Sequence, residues 1–257
     1  MSRDDKSRAL LERKLYEQLH NGVSGDVEFY IDAAREADSV LELWCGAGRI
    51  CGRIASASCR VTGLDQDPHA LELLPDQVTP VLGDMSDFSI DAEFDLIIIP
   101  FNSLLCLADE QRVVGCFRAA RKHLSQNGRL LFDVYSADGF HQAAHSGLLD
   151  ASGVEPWQLL ERVQVDDTEF DVLERSVIRL QSQRVDAQYW FRAKHCPELS
   201  FRSSIVQRYL LVAEIEPLLT RAGMQMVSMC GGFAREPLTA ESEVIVVEAR
   251  AGSEPGE

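Results

Sequence analysis

SVLELWCGAGRI, residues 39–50, decides the fold. A short apolar run ends in a turn carrying Gly46 and Gly48, and the segment after it, RICGRIASA, has helical spacing. This reads as strand, tight turn, helix. The same grammar recurs outward from it: CRVTGLD (59–65) stands before the helical PHALELL, then come VTPVLGD (78–84) and the acid-flanked run EFDLIIIP (93–100). Near-continuous apolar strands that alternate with helices predict a parallel sheet covered on both faces. A long helix from about Asp109 to Leu124 is expected to stop at QNG, with Gly128 supplying a positive φ, and RLLFDVY gives a fifth strand.

Upstream, Leu10, Leu11, Leu15 and Leu19 lie at helical spacing, and VEFYIDAAREA (27–37) forms a second amphipathic stretch. Downstream of Pro156 the helical period gives way to alternation, clearest at Val185, Ala187, Tyr189 and Phe191. Three antiparallel strands are expected around 157–165, 170–180 and 184–193. A last helix, VAEIEPLLTRAG, ends at Gly223, and MQMVSMCGGF with EVIVVEAR closes the chain as an antiparallel pair. The predicted architecture is α/β: a Rossmann-like, doubly wound, mostly parallel seven-stranded sheet with an antiparallel β insertion before the last helix. The expected segments are 1–38 (helices covering the active site), 39–150 (cofactor-binding core), 151–205 (insertion, on the acceptor side), 206–250 (the rest of the core) and 251–257 (a disordered tail).

A formal charge of -16 and a pI near 4.8 argue against nucleic acid as a partner, because binding a phosphate backbone rests on clustered Lys and Arg. The seven cysteines contain no CxxC pair and form an odd set, which fits neither a disulfide framework nor a zinc knuckle. No metal site is expected. His141 and His145, four apart, lack the Glu of HExxH and read as a solvated helix face, and His123 near a helix end reads as favourable charge placement. The charged N-terminus has no apolar core for a signal peptide or membrane span, so a cytoplasmic protein is expected. Composition leaves the oligomeric state open.

The chemistry gathers at strand ends. Glycines at 46 and 48 let the backbone turn sharply and a ligand approach it closely. Asp65 ends the second strand, 17 residues after Gly48, where a carboxylate can accept from a ribose diol, and Asp84 at the end of the third can accept from an adenine amine. A dinucleotide fingerprint would need glycine at position 51, which is Cys51, and Glu42 suits an ammonium group better than a second phosphate.

VLELWCGAGRI, VTGLDQDPHAL, VLGDMSDF and EFDLIIIPFNSLLCL resemble the four successive motifs of class I S-adenosylmethionine-dependent methyltransferases. The later segments FRSSIVQRYLLVAEIEPLLTRAGM and EVIVVEA are similar to small-molecule enzymes of the amino-sugar and glycine N-methylating kind. The resemblance implies S-adenosylmethionine as cofactor, with S-adenosylhomocysteine as product. It implies that Glu42 holds the methionine ammonium, that Gly46 and Gly48 line the methionine end, that Asp65 with Gln66 serves the ribose, and that Asp84 and Met85 border the adenine. Phe101 and Asn102 would face the methyl group and the acceptor. Tyr30 (cofactor) and Tyr16 (acceptor) lie on helices that fold over the site in that family. Trp44 stands where the family usually has glycine, so either the indole turns into the core or it crowds the cofactor. The implied acceptor is a small molecule, with nitrogen favoured. The alternatives are a peptide, oxygen or carbon acceptor, a nicotinamide-dependent oxidoreductase, or a cofactor-binding protein without catalysis. No general base identifies itself.

Overall fold

The structure, a computed structural model, describes residues 8, 11, 12, 14–16, 18–56, 59–145 and 156–252. The start of the expected insertion (151–155) and most of the expected disordered tail (253–257) lie outside the described residues. The chain forms two compact units, Gly22–Gly139 with Leu210–Glu257, and Met1–Asn21 with Phe140–Tyr209.

In chain order the elements are α1 (Asp26–Ala34), β1 (Ser39–Leu43), α2 (Cys51–Ala55), β2 (Arg60–Asp65), α3 (Pro68–Leu71), β3 (Val78–Leu82), β4 (Phe94–Ile99), a 3₁₀ turn (Ser103–Cys106), α4 (Glu110–His123), β5 (Leu124–Tyr135) and α5 (Asp138–His145). They continue with β6 (Gln158–Val165), β7 (Thr168–Arg179), β8 (Arg184–Ala193), β9 (Phe201–Arg208), α6 (Val212–Arg221), β10 (Met224–Cys230) and β11 (Val244–Ala251).

The larger unit holds a seven-stranded sheet of order β10-β11-β5-β4-β1-β2-β3. Neighbours from β5 to β3 pair in parallel, and β11 runs antiparallel between β5 and β10. The predicted mostly parallel, doubly wound sheet is what forms. Its apolar strands are apolar because both faces are buried. Leu41, Leu43, Ile97 and Ile99 enter one core cluster, and Val40, Leu96 and Ile98, one residue out of phase, enter the other. Strand order reverses at β1, whose neighbours are β4 and β2, and ligands of open α/β sheets bind at such switch points, outside the carboxyl ends of the strands.

The end of α4 departs from expectation. Asp109 caps its N-terminus by accepting from Arg112 N at 2.9 Å, as the boundary predicts. At the other end, however, Leu124 is already extended (φ -78, ψ 132), and Gly128 is absent from the positive-φ residues. The glycine serves close approach instead: a Cβ there would come within 2.7 Å of the Phe94 carbonyl, beside the register shift between β4 and β5. His123 likewise is not a surface charge. It is buried, with Nδ1 on the Ala119 carbonyl at 2.7 Å and Nε2 accepting from Ile90 N at 2.9 Å.

The smaller unit is a four-stranded antiparallel sheet, β6-β7-β8-β9. Alternation of Ala187, Tyr189, Phe191 and Ala193 with polar neighbours buries one face, joined by Phe170, Val172 and Leu15. The three expected strands are present. β9 is a fourth, running to Arg208 where the insertion was expected to end at 205, and only Phe201 and Ile205 of its packed face are apolar. Leu15 also places residues before 22 in this unit, whereas α1 belongs with the larger one, so the expected 1–38 segment divides between them. His141 Nδ1 lies 2.7 Å from Tyr209 Oη. No helix among the described residues is long and apolar enough to cross a membrane.

Candidate cofactor site

β1, β2, β4 and β5 all end on one side of the sheet, and each delivers a polar group there. Glu42, in β1, is 4% exposed, and its Oε2 accepts from Cys51 N at the start of α2 at 2.6 Å. Burial pushes its carboxyl up to about 7, against the pull of the Cys51 hydrogen bond and of Arg49. The α2 amide that would face a pyrophosphate in a dinucleotide site is therefore already occupied by a carboxylate.

Asp65, the last residue of β2 and also 4% exposed, closes the glycine turn. Its Oδ2 accepts from Gly46 N at 2.8 Å and its Oδ1 from Asp67 N at 2.9 Å. The two glycines then do different jobs. A Cβ on Gly46 (φ 56) would touch nothing within 4 Å, so the turn opens onto free space there, whereas one on Gly48 (φ 87) would meet Leu74 at 2.8 Å. Trp44 itself adopts φ 62, the left-handed backbone for which glycine is the usual residue, and its indole packs against the larger core cluster. Of the two alternatives for Trp44, the structure shows the core contact.

Asp84 follows β3 and is engaged locally. Its Oδ1 accepts from Ser86 N at 2.9 Å and from Ser86 Oγ at 2.8 Å, and its Oδ2 from Arg112 Nη2 at 2.6 Å. Burial works to raise its pKa, but these donors outweigh it and hold the carboxyl below its ordinary value. Met85 is fully buried in the core beside the larger cluster's other members, and Gln66 is exposed next to Asp65.

Two further acids belong to the rim, and the sequence reading did not single them out. Asp133, on β5 and 1% exposed, accepts at Oδ1 from Tyr30 Oη at 2.6 Å and from Phe101 N at 2.9 Å. Burial pushes it up to about 6 while those two hydrogen bonds pull the other way. Burial and the neighbouring Asp133 carry the Tyr30 phenol well above its ordinary value, so it stays protonated. Asp26, on α1, takes both Nη1 (3.1 Å) and Nη2 (2.6 Å) of Arg49. A signal for Asp133 was in the sequence: an acid inside the apolar strand LLFDVY is rare without a partner.

Phe101 (φ 54) and Asn102 (φ 60) form a turn after β4 with two consecutive left-handed residues, neither of them glycine. Such backbone costs roughly 1–3 kcal/mol per residue and persists only where surroundings over-determine it. Here Asp133 holds Phe101 N, the Asp133 carbonyl accepts from Asn102 N at 3.3 Å, and Asn102 Oδ1 accepts from Tyr135 N at 2.6 Å. The Arg49 guanidinium lies 5.3 Å from the centre of the Phe101 ring. Of the expected site residues, Tyr30, Phe101 and Asn102 thus share the bonds of Asp133, Gly46 and Asp65 bond to each other, and Glu42 interacts electrostatically with both Asp65 and Tyr30. Tyr16 belongs to the smaller unit, where it stacks on His20 at 4.1 Å.

Residues 40–128 match the family described as "Methyltransferase domain". Over that stretch, about a third of its length, the chain resembles a methyltransferase domain. It is 25% identical over 218 residues to the cypemycin N-terminal methyltransferase of a Streptomyces species, covering 82% of this chain and 83% of that protein. Among solved structures it is similar to the CcbJ methyltransferase of Streptomyces caelestis (TM-score 0.74, 24% identity, 89% of this chain and 90% of that one). It is similar also to the sugar N-methyltransferase KedS8 of a Streptoalloteichus species (TM-score 0.70, 19% identity, 93% and 92%). These likenesses show the fold, the mostly parallel Rossmann-like sheet, and S-adenosylmethionine is the cofactor that the sequence resemblance implies.

The residues fit that cofactor. Glu42, Asp65, Asp133 and Asp26 are each under 5% exposed; Glu42 feels the charge of Asp65, Asp133 feels that of Asp26, and Tyr30 feels Asp133, Glu42 and Asp26, while Arg49 is the cation bonded within the group. A site with surplus buried negative charge suits a ligand that brings an ammonium and a sulfonium, and repels a dinucleotide's pyrophosphate.

Proposed function

We propose that this protein is an S-adenosylmethionine-dependent N-methyltransferase whose acceptor is an amine, carried by a small molecule or by a peptide terminus. The observation that carries this reading is the buried carboxylate rim, with Glu42 at about 7 and Asp65 fixed by Gly46 N, beside open space over Gly46. The nitrogen preference is supported by relatives of two kinds, the cypemycin N-terminal methyltransferase aligned over most of the chain and a sugar N-methyltransferase with the same fold.

In this reading Glu42 takes the cofactor's ammonium and Asp65, with Gln66 beside it, the ribose hydroxyls. The bound cofactor supplies a methyl group already activated as a sulfonium. What remains for the chain is alignment and exclusion of water, worth up to about 7–11 kcal/mol when reacting groups are held in near-attack geometry. The Phe101–Asn102 turn does this at the strand ends because three hydrogen bonds and the Tyr30–Asp133 pair prevent it from relaxing. Glu42 changes charge near neutrality in the empty protein, so binding an ammonium below that range also has to release its proton, and affinity rises as pH approaches 7.

A thermal-shift comparison tests the assignment. S-adenosylmethionine or S-adenosylhomocysteine at 100 times its dissociation constant is expected to add about 2.7 kcal/mol to stability, and NAD or NADP at the same concentration nothing. The reverse ranking refutes the proposal. Activity against amines, phenols and amino acids then tests the nitrogen preference.

A further inference from the structure

The bonds of the rim close into a ring. Asp133 holds Tyr30 Oη; Tyr30 and Asp26 sit four residues apart on one face of α1; Asp26 holds both Nη atoms of Arg49; Arg49 lies on the Phe101 ring; and Phe101 N returns to Asp133. Arg49 is the residue directly after Gly48, and its side chain is 29% exposed although Asp26 beneath it is 3% exposed. The salt bridge uses two of the five N–H groups of the guanidinium, which leaves three for another acceptor.

Resting on the cofactor assignment above, we propose that Arg49 recognises the carboxylate of the cofactor's methionine end, and that Asp133, touching no ligand, is the positioning residue that holds Arg49 there. The methionine end is a zwitterion. Glu42 provides for its ammonium, and the same glycine turn then needs one cation for its carboxylate. Arg49 has the charge, the planar fork and a fixed position. The ring explains why the position is fixed: Arg49 is gripped by Asp26 from α1 and supported by Phe101 from β4, and both supports end on the same Asp133 oxygen.

The test compares two probes, S-adenosylhomocysteine and 5′-methylthioadenosine, which shares the adenosine and thioether but lacks the amino-acid end. The readout is the ratio of their affinities by calorimetry. Arg49→Gln is expected to weaken S-adenosylhomocysteine about 10- to 100-fold and methylthioadenosine less than threefold, as loss of a charge-assisted hydrogen bond predicts. Asp133→Ala is expected to lower the ratio at least tenfold, and Asp133→Asn, which keeps an oxygen for Tyr30 and Phe101, less than threefold. A role confined to folding would weaken both probes alike. Arg49→Lys, which leaves Asp26 its cation but removes the fork, and Tyr30→Phe, which opens the ring at one link, are both expected to lower the ratio. They decide the matter if Arg49→Gln or Asp133→Ala does not fold. Ratios equal to wild type in Arg49→Lys and Tyr30→Phe overturn the proposal. If wild type binds methylthioadenosine and S-adenosylhomocysteine equally, the Arg49 assignment falls while the cofactor class stands; if it binds neither, the cofactor assignment falls with it.

Discussion

Replacing Glu42 by Gln separates what this residue does for the ligand from what it does to the fold. Its carboxyl rises from 4.5 to about 7 in the folded chain, because burial outweighs the Cys51 hydrogen bond and Arg49. Between those two values the folded protein holds a proton that the unfolded chain has released, so stability falls as pH rises across that window. At about 1.36 kcal/mol per unit, the upward shift makes the ionised side chain roughly 3 kcal/mol unfavourable to the empty protein at pH 8, with no such penalty at pH 4. Glutamine is close in shape, keeps an oxygen for Cys51 N and carries no charge.

Urea unfolding midpoints of wild type and Glu42→Gln, taken at pH 5 and pH 8 with and without S-adenosylhomocysteine, read out both effects. Without ligand the variant is expected to gain on wild type by about 1–3 kcal/mol on going from pH 5 to pH 8. With ligand at pH 8 the order is expected to reverse, because the ammonium compensates the carboxylate and has nothing equivalent in the amide. Wild-type affinity should therefore rise with pH through 7, and the variant's should stay flat. Asp133 also sits above its ordinary value, at about 6, but it is common to both proteins and cancels in the difference. A stability difference between the two proteins that does not change with pH would refute the reasoning, since it would mean that Glu42 is not carrying a buried charge.

Asp65→Ala should weaken S-adenosylhomocysteine by about 1–3 kcal/mol in calorimetry, through loss of charge-assisted hydrogen bonds; unchanged affinity would remove Asp65 from the ribose. Asp84→Asn should change thermal stability by less than about 1 kcal/mol, because its ion pair with Arg112 is 39% and 43% exposed. Trp44→Gly relieves a left-handed backbone but removes an indole from the core edge, so S-adenosylhomocysteine affinity should stay within about threefold while stability falls. A large gain in affinity would show that the indole obstructs the cofactor.

The sheet was legible because each of its strands announces itself locally. SVLEL and FDLIII are apolar but for Ser39, Glu42 and Asp95, which is what burial on two faces requires, and the glycines of CGAG mark where β1 must turn. β9 was harder to read, since FRSSIVQR buries one face with only two apolar side chains. Gly128 misled for a physical reason. A glycine after a helix commonly frees the backbone for positive φ, and only the three-dimensional approach of the Phe94 carbonyl shows that it is the missing Cβ that matters.

The rim was half legible, and the half that was missed has a common cause. Glu42, Gly46 and Asp65 stand at strand ends where position alone argues for a ligand, so one sequence suffices to find them. Asp26, Arg49 and Asp133 take their meaning from partners 23 to 103 residues away. Yet Asp133 and Asp26 left a trace in the sequence, and the backbone marks the rim as well. Asp133 breaks an apolar strand; Asp26 and Tyr30 share a helix face; and Trp44, Phe101 and Asn102 put non-glycine residues into left-handed backbone at two strand ends. Glycine would relax all three positions, and relaxation would remove the reason for the surrounding bonds. The Phe101–Asn102 turn stays in its strained form because Asp133 and Tyr135 fix it, and fixing a turn in this way makes it rigid where a methyl group and an amine must be held in line. The buried acid in β5 is thus the counterpart of the strain after β4, and the same oxygen that holds the turn also anchors Tyr30.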